Sequence, residues 1–190
     1  MLEIIPLIFA RDSHDFKEKL NKVPIGVNRV QVIISAGSLG GHKSMGAWVL
    51  EDVGWAGSID VYLETLSPLE MVNEVLRMGV GRIIFDTESC PSLADVEAVI
   101  GEIKSGGGDV GLSVGLDSSL AFLSDVCEGL DLIQLKLPEE FDDGYVEREV
   151  LPKISFIKTN YPNIPLSIAG KIDESTAENL LRTGVDALVI

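Results

Sequence analysis

Lys136 ends the apolar run LDLIQLK, Glu64 ends IDVYLE, and Asp86 and Glu88 close RIIFDTE. A lysine at the end of a buried strand can be desolvated, fall in pKa and condense with a carbonyl as a Schiff base. It can equally extend its methylene stem to solvent and pair with Glu139 or Glu64. Glu64, Asp86 and Glu88, brought together, could bind a cation or move protons. They could also be solvated charges that pair with Lys136 and Lys171. Lys136, Glu64 and Asp86 are therefore the catalytic candidates.

A second stretch invites a chemical reading. SAGSLGGHKS, residues 35–44, comes within one residue of the phosphate-binding pattern G-x-x-x-x-G-K-[ST], with Gly37, Lys43 and Ser44 in place. That pattern works because consecutive backbone N–H groups, freed of side chains, wrap the phosphates at a helix N-terminus. His42 sets a Cβ where the second glycine is needed. The match is read as chance. The acidic stretch 139–149 fails as a calcium loop for a similar reason: Phe141 and Val150 stand where oxygen ligands belong.

Composition narrows the partners. The chain has 190 residues, 46% hydrophobic, enough for one sizeable core and a single domain over 1–190. Thirty acidic residues against 15 basic ones give a formal charge of −15. That field repels nucleic acid and anionic membranes, and opposes a phosphorylated ligand unless a local cation compensates. No apolar stretch approaches the roughly 20 residues of a membrane span, and MLEIIPLIFARDS reads as a first strand rather than a leader peptide. Cys90 and Cys127 are the only cysteines and His14 and His42 the only histidines. The expectation is a reduced, cytoplasmic protein without a His- or Cys-rich zinc site.

The elements that must position the candidates alternate regularly. LEIIPLIF, RVQVIIS, IDVYLET, GRIIFDTE, DVGLSVGL, LDLIQLKL, NIPLSIAGKI and DALVI read as strands. Helices are expected in SHDFKEKLNKV with Ser13 as cap, in MGAWVLEDV, and in SPLEMVNEVLRMG with Ser67 as cap, Pro68 first and Gly79 beyond its end. Four more fall in PSLADVEAVIGEIKSGGG, DSSLAFLSDVCEGL, VEREVLPKISFIKTN and ESTAENLLRTGV. Short apolar strands separated by helices suit a parallel sheet buried on both faces. Eight βα steps in this order predict an α/β fold, a (β/α)₈ TIM barrel apparently lacking its final helix, with chemistry at the C-terminal ends of the strands. The absent helix would bare apolar surface that a second copy could cover.

The chain resembles the ribulose-phosphate 3-epimerase family of phosphate-binding barrels. EIIPLIFARDSHDFKEKL is similar to that family's opening P-S-I-L-S-A-D-F, RVQVIISAG to its H-x-D-x-M-D-G strand, and IDVYLETLSP to its D-x-H-L-M-x-x-P strand. GLSVGLDSSL resembles a later strand and turn, and IPLSIAGKIDESTAENLLRTGVDALVI the closing V-D-G-G-I segment. The resemblance implies carbohydrate (pentose phosphate) ancestry, an isomerase, and a divalent metal held by two His and two Asp, the aspartates also serving as acid and base. Those four positions are Gln31, Ile33, Tyr62 and Ala169 here, which cannot assemble a cation site. The expectation is no cofactor and no metal-dependent epimerase activity.

The phosphate grip is altered too. PEEFDDGY places Glu139, Glu140, Asp142 and Asp143 where the family has small neutral residues, and Gly170-Lys171 remain of the glycine pair. Lys171 could hold a phosphate or be a plain surface residue. Gln31 and Tyr62 are expected to point inward and bond each other. With Glu88, Gly170 and Lys171 they make the candidate substrate contacts for a sugar or sugar phosphate. Three readings stay open: an epimerase-like barrel without the metal reaction, an active epimerase or Schiff-base aldolase using Lys136, and a non-catalytic ligand-binding or assembly protein.

Overall fold

A computed structural model describes residues 2–35, 46–51, 53–141 and 144–190. The near-match to the phosphate loop, and Asp142 and Asp143, lie outside the described residues.

Nine parallel strands form one sheet: β1 Glu3–Ile5, β2 Leu7–Ile8, β3 Arg29–Ser35, β4 Ser58–Glu64, β5 Arg82–Asp86, β6 Asp109–Gly115, β7 Leu132–Lys136, β8 Leu166–Ala169 and β9 Ala187–Val189. Their order is β1-β9-β8-β7-β6-β5-β4-β3-β2. β1 and β2 are two halves of one strand, divided at Pro6, which has no N–H to give a neighbour. Its carbonyl still accepts from Gln31 N at 2.9 Å, while Leu7 N donates to the Ile190 carbonyl at 2.7 Å. The first strand thus joins both ends of the sheet, and the expected eight-stranded barrel closes.

Six α-helices follow among the described residues: α1 Ser13–Asn21, α2 Pro68–Arg77, α3 Leu93–Ser105, α4 Leu123–Val126, α5 Leu151–Asn160 and α6 Glu174–Leu181. α2 buries Pro68, Met71, Val72 and Val75, and α3 buries Val96, Val99, Ile100 and Ile103. Both sets have the i, i+3, i+4, i+7 spacing of a helix stripe laid on a sheet. Gly79 ends the α2 segment at φ +72°, a left-handed position that favours glycine.

Several local expectations need correction. Asp12, not Ser13, caps α1, accepting from Asp15 N at 2.8 Å, because its carboxylate sits one residue outside the first turn. Ser67 precedes α2 without a capping hydrogen bond. The helix expected in MGAWVLEDV is only a 3₁₀ turn, Ala47–Leu50. DSSLAFLSDVCEGL keeps the single turn of α4 and a short 3₁₀ turn. Its serines are occupied elsewhere: Ser119 Oγ takes the Ala121 N–H, Ser118 Oγ goes to Glu88, and the Ser118 carbonyl accepts from Lys153. Before α5 the chain runs as a π turn, Val146–Val150, next to Pro152, which cannot complete the regular ladder.

The strands read as apolar runs because their outer face is entirely apolar. Val32, Ile34, Val61, Leu63, Ile83, Phe85, Leu112, Ile133 and Leu135 pack under the helices. The inner face alternates with them and is markedly polar: Gln31, Asp60, Ser113, Gln134 and Ser167 are all buried. Ile4, Leu181 and Ile190 are exposed large apolar side chains. No helix among the described residues is long and apolar enough to cross a membrane.

Candidate active site

Parallel pairing sets the inner residues in tiers. Gln31 lies opposite Asp60, which lies opposite Arg82; one step up, Ile33 faces Tyr62 and Tyr62 faces Ile84. Asp86 then faces Ser113, and Lys136 faces Ala169. The tiers explain one failed expectation. Gln31 belongs to a lower layer than the Tyr62 hydroxyl, so the two side chains do not bond each other.

Tyr62 instead reaches upward. Its hydroxyl donates to Asp86 Oδ2 at 2.5 Å, and Lys136 Nζ donates to both Tyr62 Oη and Asp86 Oδ2, each at 3.0 Å. Burial, the Asp86 charge and its hydrogen bond all push the Tyr62 hydroxyl well above its ordinary pKa, so it stays protonated and donates. Asp86 Oδ1 is buried without a hydrogen-bond partner. One carboxylate oxygen of the trio is saturated and the other is vacant.

The trio opens into a cleft of about 320 Å³ lined by Glu64, Thr65, Asp86, Glu88 and Lys136, with Leu66 and Ser89 at its edge. Lys136, 45% exposed, is the only cation among these lining residues. It pairs with Asp86, not with Glu139 or Glu64. Glu88 is pinned at the rim, accepting from Gly115 N at 3.0 Å and from Ser118 Oγ. Burial works to raise its pKa, but these donors outweigh it and hold the carboxyl below its usual value. Glu88 is thus an anchored anion, while Glu64 lines the same cleft.

The remaining candidates are elsewhere. Gly170 and Lys171 line a separate cavity of about 350 Å³ with Leu137, Pro138, Glu139 and Glu140. Gly170 adopts φ +146°, and a Cβ there would meet Leu137 Cβ at 2.8 Å, so glycine is retained for close packing. Two carboxylates beside Lys171 oppose a phosphate there. The sequence reading did not single out Ser113, Thr65 or Ser89. Ser113 could have been found from its place, in strand parity, beside Asp86.

A model of the ribulose-phosphate 3 epimerase family matches residues 3–190. The chain belongs to the ribulose-phosphate 3-epimerase family. Comparison with curated protein sequences finds no match. Among solved structures, the chain is similar to 3-hexulose-6-phosphate synthase from Salmonella typhimurium, at 12% identity and TM-score 0.71, covering 100% of this chain and 88% of that one. It is similar to a chain of the tryptophan synthase complex from Pyrococcus furiosus at 12% and 0.73, covering 99% and 86%. It also resembles type I 3-dehydroquinate dehydratase from Clostridium difficile at 10% and 0.73, covering 99% and 83%. At such identities these likenesses establish the barrel and nothing about its chemistry.

The residues at the epimerase family's metal positions do not fit a divalent ion. Ile33 and Ala169 offer no donor atom, and Gln31 is buried in a lower tier. The hydroxyl of Tyr62 stays protonated and is held by Asp86 and an ammonium group 3.0 Å away. A cation brought to Tyr62 would meet another cation.

Proposed function

We propose that this member of the epimerase family carries out metal-independent chemistry on a small carbonyl compound through Lys136. The observation that carries this reading is the location of its ammonium group. Lys136 bonds Tyr62 and is the register neighbour of Ala169, two of the four positions the family gives to its metal. A protein cation thus adjoins two of those positions, with Asp86 as its counter-ion at 3.0 Å.

Asp86 can take a proton from the Lys136 ammonium, freeing the amine. The amine attacks the carbonyl carbon, and a proton shift from nitrogen to oxygen gives a neutral carbinolamine. Asp86 then returns its proton to the carbinolamine oxygen, the C–O bond breaks, and water leaves. The product is a protonated imine on Lys136 facing an ionised Asp86, the charge with which the step began. The imine withdraws electrons from the adjacent carbon. Glu64, in the same cleft, is the base that removes a proton from that carbon or from a neighbouring hydroxyl, which would isomerise the compound or cleave its carbon chain. Tyr62, kept protonated, holds Asp86 in place throughout.

Sodium borohydride added with D-ribulose should fix an adduct on the peptide containing Lys136, read as a mass increase. The adduct should be absent from Lys136→Ala and from Lys136→Arg, which keeps the charge without the nucleophile. Epimerisation of D-ribulose 5-phosphate that rises with added divalent metal and survives Lys136→Ala would overturn the reading.

A further inference from the structure

A second cavity adjoins the lysine's cleft. It measures about 250 Å³ and shares Leu66 and Ser89 with the cleft, then runs outward between the start of α2 and the face of α3. Leu66, Pro68, Leu69, Pro91 and Val99 give it an apolar wall. Leu66 is 68% exposed and Leu69 44% exposed, although both are large apolar side chains that belong in a core.

Charge decides what the joined cavities can accept. The ionisable groups of the outer cavity are the carboxylates Glu70 and Asp95 and the thiol of Cys90, which burial pushes above its usual pKa and so keeps neutral. The inner cleft adds Glu64, Asp86 and Glu88 against Lys136, whose charge Asp86 already meets. A phosphate dianion in either part would face carboxylates at close range without a free guanidinium or ammonium among the described lining residues. An uncharged chain would suffer no such penalty, and would cover the two exposed leucines.

We propose that the two cavities form one substrate site, and that the compound processed at Lys136 is an uncharged aldehyde or ketone carrying an apolar arm. The carbonyl lies at Lys136 Nζ, and the arm passes over Leu66 to rest on Leu69 and Pro91. This assignment rests on the carbonyl chemistry proposed for Lys136.

Borohydride trapping with three probes tests it: hexanal, D-glyceraldehyde and glyceraldehyde 3-phosphate, the adduct being located by peptide mass and Lys136→Ala giving the background. Hexanal should saturate the Lys136 adduct at a concentration about tenfold below glyceraldehyde, as expected for burying about two methylene groups, and the phosphate should label least. Leu69→Glu, at an exposed helix position where the fold tolerates the change, should raise the hexanal requirement about tenfold relative to that of glyceraldehyde. Equal labelling by the phosphate and hexanal, or indifference to Leu69→Glu, overturns the apolar arm while leaving the lysine chemistry intact. A parallel measurement of 1-hexanol binding by saturation-transfer NMR needs no reactive lysine. Hexanol contact that Leu69→Glu abolishes, without trapping of any aldehyde, supports the apolar subsite and removes the lysine reading. Absence of both signals removes both.

Discussion

The two ends of the barrel use nearly the same side chains to opposite effect. At the N-terminal end Asp60, 1% exposed, gives one oxygen to Arg29 at 2.6 Å and the other to Arg82 at 3.2 Å, with Glu3 3.6 Å from Arg29. Burial raises the Asp60 pKa and the two guanidinium groups pull against it. At the C-terminal mouth Asp86 also meets a cation, but through one oxygen only, and that cation is a half-exposed lysine. A carboxylate with both oxygens occupied by rigid forks closes the cylinder. A carboxylate that keeps one oxygen unpartnered, beside a flexible amine and a cavity, suits the proton exchange proposed for Asp86. Saturation of the carboxylate distinguishes the two ion clusters.

The sharpest way to break this contrast is to remove one partner of the ion pair at each end. Asp60→Asn should strand the Arg82 guanidinium, whose Nε is already buried without a partner, and leave Arg29 with Glu3 alone. The expected loss is about 3–5 kcal/mol of unfolding free energy in a urea titration. Lys136→Met at the mouth should cost no more than about 1 kcal/mol in the same titration, since the lysine is half exposed and Asp86 keeps its hydrogen bond from Tyr62, while eliminating the borohydride adduct. Equal losses at the two ends would erase the distinction.

Two pH experiments sharpen it with smaller effects. The folded-state pKa of Tyr62 is raised above its ordinary value of 10.0, so its contribution is fully present below that pH. It is lost as pH climbs beyond, because the unfolded chain releases the proton and the folded chain does not. Between about pH 9 and pH 11 the melting temperature of the wild type should therefore fall more steeply than that of Tyr62→Phe. Glu88 has the reverse sign. Its folded pKa lies below the ordinary 4.5, so its stabilisation is present above that value and disappears as pH falls through it. Glu88→Gln should flatten the acid limb of the stability curve by less than about 1 kcal/mol, the scale of an exposed charge.

How much of this was legible beforehand differs by residue. Strand ends follow from short apolar runs, so Lys136, Glu64, Asp86 and Glu88 could be assigned to one barrel rim, and the structure brings all four to one cleft. Gln31 and Tyr62 could be assigned to the interior but not to tiers, because register is set by pairing between strands. Gly170 and Lys171 follow a strand end as well, yet the barrel's curvature gives them a different cavity. Leu66 carried a faint signal: it sits between a strand end and a helix start, where an apolar residue has no periodic reason to be. The shortened α4 was missed because Ser118, just ahead of it, is held by Glu88 and Lys153, partners distant in sequence that propensity cannot register.

Order along the chain determined the barrel and which side chains its strands carry, Gln31, Ile33, Tyr62 and Ala169 among them, since periodicity and residue type are local properties. Only the folded molecule decided that Lys136 chooses Asp86 and Tyr62 over Glu64 or Glu139, and that an apolar recess opens beside it. Those choices depend on distances between strands and helices that meet only when the sheet has closed, and a linear sequence contains no such distances.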